Sequence, residues 1–121
     1  MRYLYWCIIG LSTCLYGINF DIQAIRVGPN PLIQSRDGLA INYVATMPHQ
    51  SHYYLISPTG AIVWQHQYEA NTPRVSAAGE CQFNLIPNHV LQELPPQLYI
   101  LMSQFITESK TIRHKQYVIL K

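Results

Sequence analysis

The sequence predicts an all-β domain, a seven-stranded antiparallel β-sandwich of immunoglobulin-like architecture that follows an N-terminal signal segment. Three observations carry that expectation. Beyond Asp21 the chain divides into short β-branched and aromatic runs separated by Pro, Gly, Asn and Asp, and no stretch keeps apolar spacing of three and four over three turns. Seven such runs fall within about a hundred residues, with turn residues roughly every eight to twelve, which is the rhythm of a two-sheet sandwich. Finally, 121 residues that are 49% hydrophobic and 12% charged, against roughly 25% charged in an average soluble domain, exclude disorder, collagen and coiled coil and leave room for one core.

Residues 1–20 read as a secretory signal. Met1-Arg2-Tyr3 supplies a positive start, Leu4 to Leu11 an uncharged apolar centre, and mostly small or polar residues follow up to Asn19. The apolar centre is shorter than the ~20 residues of a spanning helix. Ser12 and Cys14 suit the small positions before a cut, and Leu11-Ser12-Thr13-Cys14 approximates a bacterial lipoprotein box, with Thr13 where Gly, Ala or Ser is usual. The expectation is an exported domain, 21–121, in the periplasm, on the cell surface or outside the cell. Membrane contact is then limited to the signal or to lipidation of Cys14. With Cys7 and Cys14 in the signal, Cys81 remains alone inside an apolar alternation and reads as a small core residue.

The strands follow in order. Ile22 to Val27 is closed by Gly28-Pro29-Asn30-Pro31, whose prolines cannot donate to a ladder. After the turn Arg36-Asp37-Gly38, Leu39 to Met47 alternates Leu39, Ile41, Tyr43, Ala45 and Met47 on the core face. Pro48 to Ser51 turns the chain, leaving His49 in a solvated turn. His52 to Ser57 and Ala61 to Gln67 form a hairpin around Pro58-Thr59-Gly60. Tyr53 and Leu55 face inward there, and Tyr54 and Ile56 outward. Tyr68 to Gly79 is a long surface loop. Glu80 to Ile86 alternates Cys81, Phe83 and Leu85 inward. Asn88 to Leu94 makes a helical turn or two with Asn88 as its cap. Gln97 to Ile106 and Thr111 to Leu120 are the last strands, and Trp64, Phe83, Leu85 and Tyr99 should share one core.

Residues that could carry chemistry are sparse. The net charge is +2, and +1 once Arg2 is set aside, too weak to concentrate nucleic acid. All six acids are scattered, no glycine cluster could cradle phosphate, and neither Ser12 nor Ser109 sits in a nucleophile elbow. His49 and His52, with His66 or His89, could supply a zinc site only if three of them converged, and the plainer reading is loop histidines. The sequence therefore points away from an enzyme and calls for no metal or cofactor. Its suggestive feature is aromatic: six of the nine tyrosines lie beyond the signal, in a domain with few charges. Such rings suit either ordinary strands or a contact surface.

Three stretches carry a family resemblance: Val27-Gly28-Pro29-Asn30-Pro31, the hairpin Tyr53 to Val63, and the ending from Leu94-Pro95-Pro96-Gln97-Leu98-Tyr99 through Lys115 to Lys121. Together they resemble the C-terminal sorting domain of type IX secretion cargo proteins, which is similar to the Ig-like domain of flagellar hook-capping proteins. Asn30-Pro31, Gly60, Leu94, Tyr99 and Lys121 match the family pattern. Gln97 stands where the family usually has Gly, and Ser57 where it usually has Asp. The resemblance implies a non-catalytic module recognised by a secretion or surface-attachment machinery through Tyr117, Val118, Ile119, Leu120 and Lys121. The partner is then a protein of a secretion apparatus. A sorting domain normally ends a longer cargo protein, so the alternative is a structural subunit or adhesin that associates through a strand edge or a tyrosine face.

Overall fold

Alternating side chains produce seven strands that divide into two antiparallel sheets. A computed structural model describes residues 19–121, so residues 1–18 of the expected signal segment, Cys7 and Cys14 among them, lie outside the described residues. In chain order the elements are β1 (Ile22–Gly28), β2 (Leu39–Ala45), β3 (Gln50–Ile56), β4 (Ile62–Tyr68), β5 (Gly79–Ile86), the single turn α1 (Asn88–Leu91), β6 (Leu98–Ile106) and β7 (Thr111–Ile119). One sheet runs β1-β2-β5 and the other β4-β3-β6-β7. The chain crosses between sheets after β2, β4 and β5, and non-consecutive strands pair in the middle of each, as in immunoglobulin-like sandwiches.

The core lies where the inner faces meet. Leu39, Ile41 and Tyr43 of β2 join Tyr53 and Leu55 of β3 and Leu101 and Phe105 of β6 in one buried cluster. Tyr43 and Phe105, from opposite sheets, bring their ring centroids within 4.8 Å. Cys81 is buried in this cluster with a free thiol. Of the four expected core residues, Leu85 and Tyr99 are fully buried, whereas Trp64 and Phe83 pack partly buried against the rim. The reason is position: β4 and β5 are edge strands. Phe20 is also buried and belongs to the core, one residue before the expected boundary at Asp21.

Local chemistry accounts for the turns. Gly60 adopts φ +91°, a left-handed conformation that favours glycine. Around it the Ser57 hydroxyl accepts the Ala61 N–H at 3.2 Å and meets Thr59 Oγ1 at 2.9 Å. Serine thus does here what a short acid does in such turns, holding the backbone two to four residues on. The expected cap at Asn88 is replaced: Pro87 occupies the cap position without a side-chain bond. The Asn88 amide instead donates to the Gln34 and Asp37 carbonyls at 2.9 and 2.7 Å, tying α1 to the β1–β2 connection.

The corner into β6 is built on Tyr99. Its hydroxyl donates to the Pro95 carbonyl at 2.7 Å, four residues upstream, the tyrosine corner of immunoglobulin-like sandwiches. This gives the Leu94 to Tyr99 motif a physical reason. Gln97 is not among the residues with positive φ, so a side chain is tolerated where the family pattern has glycine.

Candidate binding face

Each residue of the expected C-terminal site has a definite orientation. Val118 and Leu120 are buried at 1% and 2% exposure, while Tyr117 and Ile119 are exposed at 55% and 41%. Lys121 is exposed as well. Alternation along β7 therefore splits the five residues: Val118 and Leu120 anchor the strand, and Tyr117, Ile119 and Lys121 are presented.

The last residues are paired on the side away from β6. Leu32 forms a parallel bridge with Leu120, the Leu32 N–H donates to the Ile119 carbonyl at 2.8 Å, and the Lys121 N–H donates to the Leu32 carbonyl at 2.9 Å. The Gln34 N–H closes the ladder on the Lys121 carbonyl at 2.9 Å. One step earlier, Asn30 uses both ends of its side-chain amide: Nδ2 donates to the Tyr117 carbonyl at 2.9 Å and Oδ1 accepts the Ile119 N–H at 3.1 Å. A side chain here stands in for a peptide unit on the free edge of β7. The Asn30-Pro31 pair is thus explained: Asn30 clamps the edge, and Pro31 leads the chain into the Leu32 bridge.

Tyr117 and Ile119 are part of a larger surface. Paired residues in antiparallel strands share a face, so the register sets out the outer side of the four-stranded sheet in rows. Ile62, Ile56, Ile100 and Tyr117 stand side by side across all four strands, and Leu98 stands beside Ile119. Behind them come Gln65, Tyr54, Met102 and Lys115, and then Gln67, His52, Gln104 and Arg113. Ile62 is 52% exposed and Leu98 44%. One end of this face is an apolar strip, and a polar and basic zone borders it. Tyr54 Oη lies 3.1 Å from His52 Nδ1 with the rings 4.3 Å apart, so the polar zone is locally ordered.

The histidines do not gather. His49 is buried, not solvated as its turn position suggested. Its Nδ1 meets the Met47 carbonyl at 3.0 Å and its Nε2 the Tyr43 hydroxyl at 2.7 Å. Tyr43 also reaches the Val75 carbonyl at 2.6 Å, so this pair fastens the Tyr68 to Gly79 loop to β2. Burial pushes the His49 imidazole below its ordinary value, opposed by the Met47 carbonyl. Burial likewise pushes the Tyr43 and Tyr53 hydroxyls and the Cys81 thiol up, away from ionisation near neutral pH. His52 lies on the outer face, His66 stacks on Trp64 and meets Tyr68 edge-on, and His89 is in α1. No three His, Cys, Asp or Glu side chains converge among the described residues. A cleft of about 740 Å³ lies between Pro48, Ala70 and the β6–β7 turn. Its titratable lining groups are His49, whose ring nitrogens are both engaged, and Glu108.

Fold and surface together define an immunoglobulin-like β-sandwich whose last strand is hydrogen-bonded on both edges and whose four-stranded sheet carries an apolar strip at one end of its outer face. Neither a family model nor a curated protein matches the sequence. Among solved structures the fold is similar to part of dimeric latent PorU from Porphyromonas gingivalis, with a TM-score of 0.57 and 12% sequence identity. That match covers 86% of this chain and 10% of the PorU chain.

Proposed function

We propose that this domain is a non-catalytic recognition module of the type IX secretion kind, read by a secretion or surface-attachment machinery through its C-terminal strand. The observation that carries the reading is the fixed presentation of Tyr117, Ile119 and Lys121. Asn30 and the Leu32 bridge hold the backbone of the last residues, so a partner meets an ordered strand and loses little entropy in binding it. Two further supports are the motif resemblance at Asn30-Pro31, Gly60, Leu94, Tyr99 and Lys121, and the fold likeness to part of PorU, a type IX secretion-related protein. Export to the periplasm, cell surface or medium belongs to the same proposal.

The test uses the full chain in a bacterium with a type IX apparatus and in the same strain without it. The double change Tyr117→Ser and Ile119→Ser, and separately Lys121→Glu, should leave the protein folded in the periplasm and reduce its arrival at the surface. Unchanged surface delivery by both variants, or equal delivery without the apparatus, rejects the reading. The exposed face also favours a second reading, a structural subunit or adhesin. Concentration-dependent self-association of the wild-type protein, lost with the double change, would support that one.

A further inference from the structure

The outer face of the four-stranded sheet is asymmetric in charge as well as in polarity. Its outward positions carry Arg113 and Lys115 on β7 and no carboxylate on any strand, from Gln65 and Gln67 on β4 to Ile119 on β7. Among the described residues the one ion pair is Arg36 with Asp37, in the β1–β2 connection, so neither Arg113 nor Lys115 has an acidic partner within the domain. Lys115 therefore borders the strip of Ile62, Ile56, Ile100, Tyr117, Leu98 and Ile119, Arg113 stands one row further along β7, and the exposed Lys121 follows Ile119 at the other end. Exposed apolar strips rimmed by polar groups mark interaction sites, and a complementary surface needs the opposite charge at its edge.

Resting on the recognition reading above, we infer that this face takes a partner protein presenting an apolar strip edged by Asp or Glu carboxylates. Other occupants fit less well. A second copy would bring Arg113 and Lys115 against glutamines or the same cations, with no acid to meet them. A lipid surface pressed on the apolar strip would also strip water from the adjoining row of Gln65, Tyr54, Met102 and Lys115 while offering few partners for its polar groups. Nucleic acid binding draws its strength from many phosphate contacts, and the cations around this strip supply few. A protein surface can bury the apolar row, pair its own polar groups with the glutamines and set carboxylates against Arg113 and Lys115. Charge-assisted bonds to those carboxylates would fix the register of docking, and the apolar row would supply most of the affinity.

The probes are two short synthetic peptides, one alternating Glu with Val and Leu, the other with Lys in place of Glu. Titrated into the ¹⁵N-labelled full chain, the acidic peptide should move the amide signals of Ile56, Ile100, Met102, Lys115 and Tyr117. It should leave those of Asn42 and Gln82 on the opposite sheet in place. Its affinity should fall about tenfold with the pair Arg113→Glu and Lys115→Glu, less with Lys115→Gln, and should weaken with added salt. The dispersed spectrum of Lys115→Gln guards against a folding defect in the double variant. No binding of the acidic peptide, equal binding of both peptides, or shifts on the opposite sheet would overturn the inference. So would Lys115-dependent binding to phosphatidylglycerol vesicles, or dimerisation, in place of peptide binding. Peptide binding together with apparatus-independent delivery would reject the secretion reading alone.

Discussion

The two outer faces of this sandwich are made by the same alternation and differ sharply in what they show to solvent. On the three-stranded sheet, the register puts Arg26 beside Asn42 and Gln82, Gln23 beside Val44 and Glu80, and Ala40 beside Asn84. Water satisfies such a face without further structure. On the four-stranded sheet the rows of Gln65, Tyr54, Met102 and Lys115 and of Gln67, His52, Gln104 and Arg113 are comparable, but one end holds Ile62, Ile56, Ile100 and Tyr117, and Leu98 with Ile119. Period-two patterning guarantees a buried face on each strand, but the composition of the other face is free to serve a partner. The comparison therefore singles out the outer side of the four-stranded sheet as the face on which the proposed recognition rests. It also gives the Asn30 clamp a place in that proposal: recognition through the last strand would need a strand that stays in register.

The comparison can be broken most severely from the inside. Phe105→Ala removes a ring that joins the sheets through Tyr43 and should destabilise the domain by roughly 3–5 kcal/mol in urea unfolding. Met102→Ala, three residues away on the outer face, should stay within about 1 kcal/mol. Similar losses at both would contradict the assignment of faces.

The clamp offers the next largest effect. Asn30→Ala removes two hydrogen bonds on an exposed edge and should lower stability by about 1–2 kcal/mol. Hydrogen exchange should accelerate at the Ile119 amide more than at Leu101 in the sheet centre. Uniform acceleration would mean that Asn30 acts on the whole domain and not on the edge of β7.

The crossing between the sheets should respond to pH. Burial holds His49 below its ordinary value of about 6.5, so the unfolded chain binds a proton where the folded one does not. Stability is then complete above about pH 6.5 and declines as pH falls toward the folded value. The rings packed on it are Tyr43, Phe20 and Phe105, Lys110 donates to the Phe20 carbonyl beside it, and Glu108 lines the same cleft. Urea midpoints at pH 7.5 and 5 should separate, and His49→Gln should narrow the gap. An unchanged gap in the variant would assign the slope to other groups.

The smallest effect is on the polar sheet's edge. β1 slips register between Gln23 and Arg26, and Ala24 in that bulge holds φ +55°, a left-handed conformation that costs an L side chain about 1–2 kcal/mol. Ala24→Gly should raise stability by about 0.5–1 kcal/mol, less than the relieved strain because glycine also loosens the unfolded chain. The bulge blunts this edge against stray pairing. A loss of stability on that change would mean that the Ala24 methyl packs more usefully than its backbone is strained.

The sequence by itself determined the seven strands, their order, the inward residues of β2, β3 and β5, and Tyr99 of β6, because alternation and turn residues act over two to five positions. The hairpin at Gly60 and the burial of Cys81 were legible for the same reason. It also separated Tyr54 and Ile56, on the outer face, from Tyr53 and Leu55 in the core. What only the tertiary structure decided depends on contacts between distant segments. His49 reads as a turn histidine until Tyr43 is placed against it, and Asn88 reads as a helix cap until the β1–β2 connection supplies better acceptors. Nothing local pairs Leu32 with Leu120, and no local signal marks Asn30 as the side chain that closes the edge of β7. The rows of the outer face are the clearest case: Ile56, Ile62, Ile100 and Tyr117 are scattered along the chain, and only strand register makes them neighbours.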